Sequence, residues 1–197
     1  RTPSDEVRST SEVELAAEPS VLARLSVFAS AAALSATQDL VRLTLPHLTS
    51  AAQPDLVAEE TLALVATVTA RAAETGLREQ PDALAAAGSA LVELPFLYHD
   101  YLLGVQLVAA GEEGDVDVDQ SVYDRLTRKM EFYAAHLPPG RFPGPRALDD
   151  KLPLWMGRIS PPKLPTTPQE RLADLGATEL LATHARLVLA FAQKVAT

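Results

Sequence analysis

The sequence predicts an all-α fold, an up-and-down bundle of about five long helices with a long proline-rich strap before the C-terminal helices. Three observations carry this. Apolar residues recur at spacings of three and four over long stretches, the period of one helix face. The apolar share is 47% with aromatics at only 5%, mostly Ala, Leu and Val, a mixture suited to closely packed helices rather than to a β-sandwich. The breaks between periodic stretches fall at Pro and Gly, and no segment shows convincing strand alternation. A chain of 197 residues is long enough to bury a sizeable core. The expected organisation is a polar N-terminal arm over residues 1–18 and a single helical domain over residues 19–197 that includes the strap, residues 138–168.

The first helix opens at Pro19-Ser20 and runs until Pro46, with Leu25, Phe28, Ala32, Ala36, Leu40 and Leu43 on one face. The second starts at Gln53-Pro54-Asp55, where a proline's missing N–H costs nothing, and carries Leu62, Val65 and Val68 inward. Gly76 suits a left-handed cap at its end. A third begins near Pro81-Asp82, runs through ALAAAGSALV, and is broken or kinked at Pro95 before continuing to Gly111. The small-residue faces Ala29/Ala33/Ala36 and Ala85/Gly88/Ser89 are suited to close contact with each other. The fourth, from about Asp119 to Leu137, places Val122 or Tyr123, Leu126, Met130, Tyr133 and Leu137 on one side. Asp124, Arg125, Arg128, Lys129 and Glu131 cover the other. After the strap, Thr167-Pro168-Gln169-Glu170 fits a capping box for a short helix ending at Gly176. The last helix, residues 177–196, carries Leu181, Ala185 (or His184), Val188, Ala192 and Val195.

Charge and composition remove several functions. The formal net charge is −9, against the cations a nucleic-acid partner or an acidic membrane surface needs. With no cysteine there is no disulfide, thiolate nucleophile, zinc finger or iron–sulfur centre. The longest uncharged run, Leu25 to Gln38, is 14 residues, whereas a membrane span needs roughly 20 apolar ones. The expectation is a soluble protein. The polar start at Arg1, without a methionine, fits either a chain boundary or removal of a leader, and the latter implies an organellar or extracytoplasmic location.

Chemistry-bearing motifs are scarce. The residues three before the four histidines are Thr44, Phe96, Tyr133 and Leu181, so the Glu-x-x-His pairs of di-iron bundles are absent. The loop GEEGDVDVDQS places Asp115, Asp117 and Asp119 like the start of an EF-hand, yet Gln120 replaces the required glycine and Leu126 the bidentate glutamate. No metal site and no cofactor are expected. There is no nucleophile elbow or phosphate-binding glycine loop. The adjacent carboxylates Glu59-Glu60 and Asp149-Asp150 are expected to point apart on a helix, so no catalytic residue is assigned. His184 is expected at a helix boundary.

The strap remains. Nine of the fifteen prolines fall between His136 and Pro168, with the only tryptophan and the only isoleucine. Its five cations against Asp149 and Asp150 give a net +3, leaving −12 for the rest of the chain. It reads as a long connection without regular structure: packed across the bundle with Trp155 plugging a gap, presenting contacts to another chain, both on opposite faces, or a disordered linker. Arg141, Phe142, Arg146, Leu154, Trp155, Met156, Arg158, Ile159 and Lys163 are of types enriched at interfaces or flank such residues. The leading expectation is a non-catalytic helical accessory or adaptor subunit whose partners are other protein subunits. The alternative is a small-molecule-binding or enzymatic bundle with a pocket around Tyr98, His99, Tyr101, Tyr133 and His136.

Overall fold

A computed structural model describes residues 21–48, 54–85, 120–159 and 176–195. Within them the regular structure is entirely helical, and no strand occurs. The long helices are α1 (Val21–Thr44), α2 (Pro54–Gly76), α3 (Gln120–His136) and α6 (Ala177–Val195). Two short ones, α4 (Pro145–Asp149) and α5 (Leu152–Ile159), lie inside the proline-rich strap. A 3-10 turn, Leu45–His47, follows α1, and residues 81–85 are helical. No helix among the described residues is long and apolar enough to cross a membrane. The N-terminal arm, the expected third helix beyond Ala85, the acidic loop and the capping box before Gly176 lie outside the described residues.

Helix α2 is the axis. It packs on α1, α6, α3 and α5, and every residue from Val57 to Thr69 is buried. The sequence predicted one inward face, with Leu62, Val65 and Val68. What allows burial on all sides is the choice of residues between them: small alanines, and threonines whose hydroxyls turn back onto their own helix. Thr61 donates to the Val57 carbonyl at 2.6 Å, Thr67 to Ala63 at 2.8 Å and Thr69 to Val65 at 2.7 Å, so no hydroxyl is left without a partner.

Helix α1 buries Leu25, Ala29, Ala33, Ala36 and Leu40. Its inner face is rotated slightly from the expected one, because alanines at the contact let α2 and α6 come close. Phe28, Ala32 and Leu43 are left at the margin. Closeness also explains Gly76. It does not adopt a left-handed conformation; instead, a Cβ at this position would lie 2.6 Å from Cβ of Ala192 and 3.1 Å from the Leu189 carbonyl oxygen. Gly76 is the point where the end of α2 touches α6. Among the described residues the left-handed glycines are Gly140 and Gly176, at φ of 75° and 82°.

The strap departs from the irregular connection expected. Pro145 begins α4 and Pro153 is the second residue of α5, positions in the first turn where no intrahelical N–H is needed. Proline therefore starts helices here instead of preventing them. Leu148, Leu152, Trp155, Met156 and Ile159 project into the same core as α2. The strap is tied down where it begins: Arg71 Nε donates to the Leu137 carbonyl at 2.7 Å, and an Arg78 Nη2 donates to that of Gly140 at 3.1 Å. Where α4 meets α6, the Thr178 hydroxyl donates to the Asp149 carboxylate.

Candidate functional site

Two polar constellations stand out. The first is a buried charge cluster where α3 and α5 meet α2. Successive residues on a helix diverge by about 100°, and that divergence underlies the expectation that Glu59 and Glu60 point apart. Both nevertheless reach the same neighbour, because α3 runs over the line that bisects them. Lys129 Nζ lies 3.0 Å from Glu60 Oε2 and 3.4 Å from Glu59 Oε2. One turn earlier on α3, Arg125 grips Glu59 with two donors, Nε to Oε2 and Nη2 to Oε1, both at 2.9 Å. One turn later, the Tyr133 hydroxyl donates to Glu60 Oε1 at 2.8 Å. Arg158, on α5 of the strap, donates to the same Oε1 through Nε, and its guanidinium lies 4.3 Å from the centre of the Phe132 ring.

Three cations thus surround two carboxylates, and each carboxylate oxygen has a partner. Burial drives the Glu59 carboxyl upward, but the Arg125 hydrogen bonds and the charges of Lys129 and Arg125 outweigh it and hold it below the ordinary value. Burial, then the charge and hydrogen bond of Glu60, push the Tyr133 phenol far above its usual range, so it stays a hydrogen-bond donor. Neither group is an acid or base of use near neutral pH. The cluster fastens the strap and α3 to the central helix.

The second constellation is a groove of about 550 Å³ between α1 and α6. Phe28, Ala32, Ala36, Leu180 and Leu187 form most of its wall, and Asp39 and Glu179 stand together at one end. At the other, Phe28 stacks on Phe191 with ring centres 3.9 Å apart. His184 lines the groove from below. It is not a boundary residue: it is buried, with Nε2 2.7 Å from Thr69 Oγ1, and burial lowers its pKa from 6.5 to about 4. Leu187 on the rim is 53% exposed and Val27 on α1 70%.

No protein-family model, curated protein or solved structure matches the chain.

Of the residues expected to contact a partner, Trp155, Met156 and Ile159 are buried in the bundle, and Phe142 and Leu154 are partly buried. Arg158 belongs to the charge cluster, Arg141 and Arg146 are exposed, and Lys163 lies outside the described residues. Of the expected Tyr/His pocket, Tyr98, His99 and Tyr101 also lie outside them. Tyr133 turns to Glu60, whereas His136 Nδ1 lies 2.8 Å from the Phe132 carbonyl oxygen and its ring rests on that of Phe132. Among the described residues no group of three metal-ligating side chains forms.

Sequence reasoning missed Glu59, Glu60, Arg125 and Lys129 by assigning both cations to the solvent side of α3. A signal existed. Arg125, Lys129 and Tyr133 are spaced by four, a polar stripe matching two acids that open the long uncharged run TLALVATVTA.

Proposed function

We propose that this protein is a non-catalytic accessory or adaptor subunit that docks into a larger protein assembly, built as an up-and-down bundle of about five long helices. The observation that carries the reading is the open apolar groove between α1 and α6, with Leu187 exposed on its rim. An exposed apolar surface of this kind favours contact with another chain. The internal pairing of Glu59, Glu60 and Tyr133 supports the non-catalytic part, because these buried groups hold one another rather than a substrate. The cationic strap contributes Arg141 and Arg146 as exposed partner contacts, while its apolar residues complete the bundle. Native mass spectrometry of the protein gently purified from its source tests this. The expected result is a stoichiometric complex with other polypeptides. A lone chain carrying a small extra mass overturns the reading in favour of a ligand-binding bundle.

A further inference from the structure

The groove has a length, an apolar wall and two carboxylates at one end, and together these describe an occupant. Phe28 and Asp39, at its two ends, are separated by about 16 Å of helix, three turns of α1. Its wall on α1 is Ala31, Ala32, Ser35 and Ala36, side chains small enough for another helix axis to approach closely. Leu187 stands on the opposite rim.

The polar groups gather at the end away from Phe28. Asp39 and Glu179 are both exposed there, and their own-helix partners are distant: Arg42 at 3.7 Å and Arg186 at 3.9 Å. Exposed pairs of that length hold their charges weakly, so the carboxylates remain available to an incoming cation. His184, five residues beyond Glu179 on α6, lines the groove about 7.5 Å of helix farther along. The Thr69 hydroxyl gives its proton to the Val65 carbonyl, so it receives one from His184 Nε2. The other ring nitrogen, Nδ1, is then an acceptor, and among the described residues no donor reaches it. His184 is only 6% exposed and lines the groove, so a donor seated in the groove can bond Nδ1.

We propose that the groove receives a helix of a partner protein, laid along α1 and α6, with an apolar face and a Lys or Arg at the end meeting Asp39, Glu179 and His184. This rests on the docking reading above and adds the partner's chemistry to it. The helix-in-groove mode needs apolar anchors at spacings of three and four, and the acidic corner sets direction. A second copy of this chain is the poorer occupant, since it brings the same carboxylates and another −9 of charge.

The test uses the full chain, isotope-labelled, and two capped peptides with one leucine pattern: a leucine–lysine amphipathic helix and its leucine–glutamate counterpart. The lysine peptide is expected to bind and the glutamate peptide to fail. Ser35→Trp, which fills the groove from an exposed position, is expected to lose roughly tenfold or more in affinity. Leu187→Ser serves as a second groove variant should the first fold poorly. Asp39→Asn with Glu179→Gln is expected to weaken binding and flatten its salt dependence, while Asp124→Asn, on exposed α3 surface, leaves it unchanged. On binding, the His184 Nδ1 nitrogen resonance is expected to move upfield as it accepts a hydrogen bond. Equal binding of both peptides, unchanged binding by the folded groove variants, or a dimer in sedimentation that Ser35→Trp abolishes would each overturn the proposal. A chain that purifies in a complex yet ignores the lysine peptide overturns this inference alone. A chain that purifies alone, bearing a small ligand, overturns the docking reading with it.

Discussion

Lys129 illustrates how much one side chain can hold in this molecule. It is only 9% exposed and stands between two carboxylates that are 11% and 4% exposed. Replacing it by methionine keeps the stem and removes the charge, leaving Glu59 to Arg125 and Glu60 to Arg158 and Tyr133. The expected cost is about 3–5 kcal/mol in chemical denaturation, the usual scale for one missing partner of a buried pair. Adding Glu60→Gln is expected to recover part of it. His184 gives a pH signature of known sign. Its folded-state pKa, about 4, is below the unfolded value near 6.5, so between these the unfolded chain binds the extra proton. Its contribution is complete above about pH 6.5 and is lost as pH falls toward 4, about 3 kcal/mol over the window. The Glu59 contribution has the opposite origin but the same direction: present above its ordinary 4.5 and lost on further acidification through its lowered folded value. His184→Gln, which retains a donor toward Thr69, is expected to flatten the slope between pH 6.5 and 4 and leave the steeper acid limb. A variant with the wild-type slope assigns that proton elsewhere.

Between elements, spacing set by small residues decides the packing. Gly76→Ala places a methyl group 2.6 Å from Cβ of Ala192, so α2 and α6 must separate at that end. The expected penalty is about 1–3 kcal/mol by thermal or urea unfolding, of the overpacking kind. Gly144→Ala meets nothing within 4 Å and at a φ of −72° is expected to be neutral within about 0.5 kcal/mol. This is also where sequence and structure part. The bounds of α2, α3 and α6 were legible within a residue or two, because Pro54, Leu137 and Gly176 mark them. Which face of each helix turns inward was less so. Periodicity assumes one buried face per helix, and α2 has none exposed along its middle. Arg125 and Lys129 were assigned to solvent because charge ordinarily goes there, and only the position of α2 beside them reverses it. The helices α4 and α5 were hidden by the prolines that initiate them. Nothing local marked His184 as paired with Thr69, which lies 115 residues away in the chain.

For the molecule as a whole, the strap completes the core. Removing residues 141–163 takes Leu148, Leu152, Trp155, Met156 and Ile159 away from α2 and strips Arg158 from Glu60. The expected result is loss of cooperative unfolding by circular dichroism, not a trimmed but intact bundle. An unchanged sharp transition would make the strap an appendage. The exposed Arg141 and Arg146 can be replaced by glutamine without that penalty, within about 0.5 kcal/mol. Trp155 has a practical consequence of its own. It is the only tryptophan, it is fully buried, and its indole Nε1 has no hydrogen-bond partner among the described residues. Its fluorescence is therefore a single, intrinsic optical report on whether α5 is seated. Emission at short wavelength in the intact protein should shift to the red when the strap lifts. If that shift precedes the loss of ellipticity on titration with denaturant, the strap opens as a unit of its own. If the two coincide, strap and bundle share one fate.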